Sequence, residues 1–326
     1  MTNITGRSPA ARDLTVHLGP ITLAHPVVNA SGTMEIFDLA DAFGDEFLKT
    51  PPVACYFPKT VTLHPREGNV PPRIMETPAG MINAIGLSGE GMEAFIRNRL
   101  PQLLALPCPI IVSIGGFTAS EYIELATGLR SALGDRLGEG WERRVGLELN
   151  ISCPNVESGC LLIGSDPHET EAVVSSVRKA WPGLLVAKLT PNVTDIASVA
   201  SAAESAGADA IAAVNTYKGL IIERTSLRPF LGNVTGGVSG PAIKALALRA
   251  VFDIFARVEI PVVGMGGIAC LEDAVDFLAC GATVVAVGSV GFGDPWLPER
   301  IATALGRELA SRSLDLDELV GIAHRS

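Results

Sequence analysis

The chain has 326 residues, 48% of them hydrophobic and only 18% charged, which is enough to bury a sizeable core in one large domain or two ordinary ones. Its formal net charge of −10 argues against nucleic acid as a partner, because neutralising phosphates takes a basic face. No run reaches the ~18–20 apolar residues that a membrane span needs.

The polar N-terminus, with Arg7 and Arg12, lacks the apolar centre of a secretory signal. Six cysteines, at 55, 108, 153, 160, 270 and 280, form no Cys-x-x-Cys pair, and the five histidines are scattered. Neither a metal site nor a disulfide framework is expected from that pattern, and the cytoplasm is the expected compartment.

In chain order, short β-branched runs at 26–30, 53–58, 109–114, 145–149, 184–189, 210–214, 261–264 and 283–287 read as strands. Most are nearly all apolar, as strands covered on both faces should be. Helical periodicity occupies 119–133, 169–181, 195–206, 242–256, 271–279 and 297–310. Thr194 and Asp195 open the third of these, and Gly207 marks its stop before the next strand. Eight strands in βα alternation predict a closed (β/α)8 TIM barrel rather than an open sheet. It is expected to be one domain over 1–326, with 1–15 as a flexible N-terminus. Long departures at 60–100, after strand two, and 215–240, after strand six, fall on the side where βα loops build sites. Proline density over 64–78 predicts an ordered, extended excursion.

The strand ends carry the candidate chemistry. Strand one ends in Asn29-Ala30-Ser31-Gly32, where a small residue admits a flat ligand to the backbone, and strand two ends in Lys59-Thr60. Strand four delivers Asn150, Cys153 and Asn155 within a few residues: a thiol that can act as base or nucleophile, flanked by carboxamides that can hold a planar polar substrate. On strand five, alternation puts Lys188 on the face opposite Ala187 and Leu189, into the barrel top, where a charge is expensive unless it meets an anion. Asn215 and Thr216 follow strand six. Glycine-rich turns follow strands seven (Gly264-Met265-Gly266-Gly267) and eight (Gly288-Ser289), the usual phosphate site of such a barrel. Two lysines, a phosphate cradle and several carboxamides fit a phosphorylated planar cofactor with a small polar substrate. They do not separate flavin from pyridoxal phosphate, or redox from aldol chemistry.

The segment Asn150-Ile151-Ser152-Cys153-Pro154-Asn155 resembles the active-site loop of class 1 dihydroorotate dehydrogenases, FMN-dependent enzymes of pyrimidine biosynthesis. The likeness runs from Asn29 to about Pro295 and takes in 59–68, 83–87, 188–195, the Asn215-Thr216 pair, 236–244 and 264–267. It implies oxidation of (S)-dihydroorotate to orotate, with the Cys153 thiolate removing the C5 proton while hydride passes from C6 to FMN. By the same resemblance the substrate set is Lys59, Asn83, Ala84, Ile85, Gly86, Leu87, Asn150, Asn155, Asn215 and Thr216. For FMN it implies Ser31, Lys59, Thr60, Ser113, Asn150 and Lys188, with Val214, Gly240, Gly266, Gly267, Gly288 and Ser289 around them. Lys188 would sit by the flavin pyrimidine edge and favour the anionic reduced form.

The wording at 62–66, 83–87 and 240–244 is closest to the B type. That type pairs a catalytic FMN chain with a second subunit carrying FAD and a [2Fe–2S] cluster, which passes electrons to NAD. A homodimer, or a heterotetramer with that subunit, is the expected assembly. Two departures stand out: Ser113 where the B type usually has asparagine, and the segment 217–224 after the Asn-Thr pair. Oxidation or reduction of another dihydropyrimidine, or a scaffold without activity, are the competing readings. Retention of the thiol, both lysines and the asparagines weighs against each.

Overall fold

The computed structural model describes residues 12–152 and 160–325, the side chains of 160–162 excepted. Seven parallel strands form one curled sheet, in the order Val27–Asn29, Val284–Val287, Val262–Met265, Ala210–Ala213, Leu185–Lys188, Val145–Asn150, Ile110–Ile114. Nearly every residue of these strands is buried, which explains their continuous apolar reading.

The gap between the first and last of these strands is filled by residues 53–58, expected as barrel strand two. They form no regular strand, which corrects that expectation. The Ala54 N–H donates to the Val27 carbonyl at 3.0 Å, the Tyr56 N–H to the Pro109 carbonyl at 3.0 Å, and the Ile111 N–H to the Tyr56 carbonyl at 3.0 Å. Prolines at 51, 52, 58 and 109 remove donors from both partners, so a continuous ladder cannot form. A side chain completes the join. Asn29 donates through Nδ2 to the Phe57 carbonyl at 2.8 Å and accepts the Phe57 N–H on Oδ1 at 3.0 Å, as a facing backbone would. The sheet is thereby closed into the expected (β/α)8 barrel.

Helices alternate with the strands close to their expected places. Asp195 caps Ile196–Ser205 by accepting the Ser198 N–H at 3.1 Å, and Asp166 caps Pro167–Ala180 through the His168 and Glu169 N–H groups. Several features were not foreseen. A hairpin, Val16–Leu18 with Ile21–Leu23, precedes the barrel; a helix Ile36–Phe43 follows strand one; and a helical stretch runs from Gly91 to Leu104 through a π turn at Phe95–Arg99.

The two long departures meet each other. Ile74–Thr77 and Gly80–Asn83 from the first, and Tyr217–Leu220 and Thr235–Ser239 from the second, form a four-stranded antiparallel sheet. Its central register, Gly237 opposite Asn83 and Ser239 opposite Met81, ties the departures after strands two and six into one cover over the strand ends. No helix among the described residues is long and apolar enough to cross a membrane.

Candidate active site

A cavity of about 390 Å³ opens at the C-terminal ends of the barrel strands, beneath this antiparallel cover. That is the face on which βα loops of such barrels build their sites. Of the residues singled out from the sequence, Ser31, Lys59, Thr60 and Asn150 line it from the first, second and fourth strand ends. Lys188, Val214, Asn215 and Thr216 line it from the fifth and sixth. Gly240, Gly266, Gly267, Gly288 and Ser289 line the side beneath strands seven and eight, and Asn83, Ile85, Gly86 and Leu87 reach it from the cover. Ala84 and Ser113 stand behind the wall. Ala84 is wholly buried with Ile82 and Leu231, and Ser113 shares a 2.9 Å hydrogen bond with the Thr60 hydroxyl. Cys153 and Asn155 lie outside the described residues.

The polar wall is one connected network. Asn150 Nδ2 donates to Thr60 Oγ1 at 3.0 Å; Ser152 Oγ donates to Asn150 Oδ1 at 3.1 Å. Asn215 Nδ2 donates to Ser152 Oγ at 2.8 Å and approaches Asn150 Oδ1 at 3.3 Å. The Asn150 backbone is pinned by the Tyr122 hydroxyl, which donates to its carbonyl at 2.8 Å. The carboxamides are therefore fixed in orientation before any ligand arrives, which is how polar groups gain selectivity for a planar partner.

Lys188 is the buried cation. Its side chain is 6% exposed, and it meets the anion its burial requires: Glu148, wholly buried, with Nζ to Oε1 at 3.6 Å. Lys188 Nζ also donates to Ser31 Oγ at 2.9 Å, and Ser31 Oγ donates to Glu148 Oε1 at 2.8 Å. Sequence reasoning passed over Glu148. The available signal was a lone carboxylate inside an apolar strand, next to a strand carrying a lone lysine.

Lys59, by contrast, is exposed at the mouth, where its Nζ lies 3.4 Å from Ser88 Oγ. Behind it a second cavity of about 300 Å³ holds Glu35, whose carboxyl is pushed up by burial, against the opposing pull of Arg99 and Lys59.

The glycine turns form a cradle for two different reasons. Gly240, Gly266 and Gly267 have φ of +94°, +129° and +86°, and a Cβ on Gly240 would lie 2.5 Å from the Gly80 Cα. Backbone conformation and close packing both exclude a side chain there. At Gly288 nothing lies nearer than the Ala30 Cβ at 4.0 Å, so a Cβ would stand in open space in the cavity wall. Arg73, Met81, Ser88 and Phe292 also line the cavity and were not foreseen, because loops and the cover carry them there.

A glycine-lined cavity with a buried lysine and a carboxamide wall at the strand ends of a barrel has the lining of a ligand site. Comparison with known proteins makes this specific. Residues 13–309 match the family model described as dihydroorotate dehydrogenase, and the chain belongs to that family. Among its relatives is the catalytic subunit of dihydroorotate dehydrogenase B (NAD(+)) from Desulforudis audaxviator, 44% identical over 95% of this chain and 97% of that protein. Proteins of the same description from Geotalea daltonii and Trichlorobacter lovleyi are 43% and 42% identical, over 96% and 94% of this chain and 98% and 97% of their own lengths.

Proposed function

We propose that this chain is the catalytic subunit of a class 1 B-type dihydroorotate dehydrogenase, oxidising (S)-dihydroorotate to orotate in pyrimidine biosynthesis. The observation that carries the reading is the convergence, in a member of this family, of Lys188, the carboxamide wall and the glycine cradle on one cavity.

The residues fit FMN. Gly240, Gly266, Gly267, Gly288 and Ser289 would hold its phosphate and ribityl chain, with Val214 at their side. Ser31, Thr60, Asn150 and Lys188 would hold the ring, while Ser113 supports Thr60 from behind. Gly288 leaves open the volume that a Cβ would fill. When bound, FMN supplies the acceptor for the hydride that leaves C6 of the substrate.

The chain's own task is to orient the substrate and to move one proton. Asn83, Asn150, Asn155, Asn215 and Thr216 would hold the ring amides, the backbone of 84–87 would complete the pocket, and Lys59 at the mouth would neutralise the carboxylate. Cys153, as thiolate, would take the C5 proton as the C5–C6 double bond forms. A free thiol near ~8.5 starts within reach of working pH. The relatives are named as NAD(+)-linked catalytic subunits, which supports a partner subunit as the electron exit; by the family resemblance that subunit would carry FAD and a [2Fe–2S] cluster.

An anaerobic absorbance spectrum tests the proposal. Flavin bands near ~450 nm should bleach on addition of dihydroorotate, and Cys153→Ala should keep the bands but not bleach. Bands that ignore dihydroorotate and bleach with another dihydropyrimidine would refute the substrate. Substantial turnover by Cys153→Ala near neutral pH would refute the base.

A further inference from the structure

Glu148 lines no part of the cavity, yet it pairs with the cavity's buried lysine. The triangle of Ser31, Glu148 and Lys188 joins the first, fourth and fifth barrel strands at the level just beneath the ligand space. Glu148 Oε2 has no hydrogen-bond partner among the described residues, although the side chain is wholly inaccessible. A carboxylate buried with one oxygen unsatisfied is costly, and an aliphatic side chain would fill this strand position without that cost. Its presence there calls for a task beyond packing.

Lys188 supplies the task. An ammonium has three N–H donors, and Ser31 takes one. At 3.6 Å, Glu148 acts on it through charge rather than a formed hydrogen bond. Lys188 thus keeps donors for a ligand while its field is partly cancelled.

We infer that Glu148 is a positioning residue: through Ser31 and the ion pair it holds Lys188 at the cavity wall and limits how strongly the site favours an anionic, reduced ligand. This rests on the reading that the site binds FMN. A flavin in such a site must take electrons and release them again. A fully uncompensated ammonium would hold the reduced, negatively charged form too firmly, and the carboxylate trims that preference.

Glu148→Gln keeps the size and the acceptor for Ser31 and removes the charge. Anaerobic redox titration of the FMN-loaded protein should show the midpoint potential raised by about 30 mV or more, a tenfold or greater gain for reduced over oxidised flavin. In a Lys188→Met background the same substitution should move the potential far less. An unchanged potential in Glu148→Gln, or an equal shift with and without the lysine, overturns the inference.

If Glu148→Gln alone is insoluble, the doubly substituted protein, without either charge, should recover solubility; continued insolubility also overturns it. Should the chain take up no FMN, the functional reading fails by itself, and thermal unfolding of the apoprotein decides the pairing. The two substitutions together should then cost less than the sum of each alone, and additive losses overturn the role of Glu148.

Discussion

Replacing Asn29 by alanine tests whether a side chain closes this barrel. The carboxamide makes three hydrogen bonds: to the Phe57 carbonyl at 2.8 Å, from the Phe57 N–H at 3.0 Å, and to the Ala30 carbonyl at 3.1 Å. The Ala30 carbonyl keeps another partner in the Thr33 hydroxyl, so its loss matters little. Phe57 is 1% exposed, and its N–H and C=O would both be stranded. Each stranded group costs about 1–3 kcal/mol, so a total of about 4 kcal/mol is expected. For a chain of 326 residues the unfolding entropy is about 0.7 kcal/mol/K near 60 °C, and the loss should lower Tm by about 6 °C. Urea unfolding followed by tryptophan fluorescence, with thermal melts alongside, reads both quantities. Asn29→Asp should lose more than Asn29→Ala, since it sets a carboxylate oxygen against the Phe57 carbonyl. A loss below about 1 kcal/mol in Asn29→Ala, or an aspartate variant as stable as the parent, would refute the claim that this carboxamide stands in for a ladder.

Two further outcomes follow from the geometry. Gly240→Ala forces a Cβ to within 2.5 Å of the Gly80 backbone at φ +94°, and should weaken FMN binding to the apoprotein about tenfold or more in a fluorescence titration; unchanged affinity would show that this contact does not shape the cradle. Asp273 is buried against its own charge, but Lys244 and the Ala269 N–H outweigh that and hold its carboxyl below the usual range. A depressed folded pKa contributes stability that is present above the unfolded value of about 3.9 and lost as pH falls through the folded one. Asp273→Asn should therefore cost about 1–2 kcal/mol at pH 7 in urea unfolding, and that gap should shrink toward pH 3; a gap independent of pH would contradict the linkage.

The barrel was legible because strands buried on both faces are written as unbroken apolar runs, and the helices between them keep a 3.6-residue period. The site was legible because this fold puts chemistry at strand ends, where Ser31, Lys59, Asn150, Lys188, Asn215 and the glycine turns lie. Strand two misled for a local reason: residues 53–58 are apolar enough for a strand, but the prolines around them forbid its ladder. The antiparallel cover was hidden for a long-range one. Gly236 and Gly237 give the segment Thr235–Ser239 little strand character of its own, and it pairs with Gly80–Asn83, more than 150 residues earlier. Glu148 escaped notice because a single charge in an apolar run has no period. Only the register of adjacent strands shows that it sits one layer beneath Lys188.

Ser113 then takes a meaning that the resemblance alone did not supply. It marks one end of a chain of hydrogen bonds that runs through Thr60, Asn150 and Ser152 to Asn215, linking four barrel strand ends. Each member fixes the next, so the carboxamides facing the cavity hold their orientation without help from a ligand. From the third strand, Ser113 reaches the Thr60 hydroxyl at 2.9 Å from behind the wall. The polar wall keeps its carboxamides at Asn150 and Asn215, and the third strand contributes by bonding Thr60 from outside the cavity.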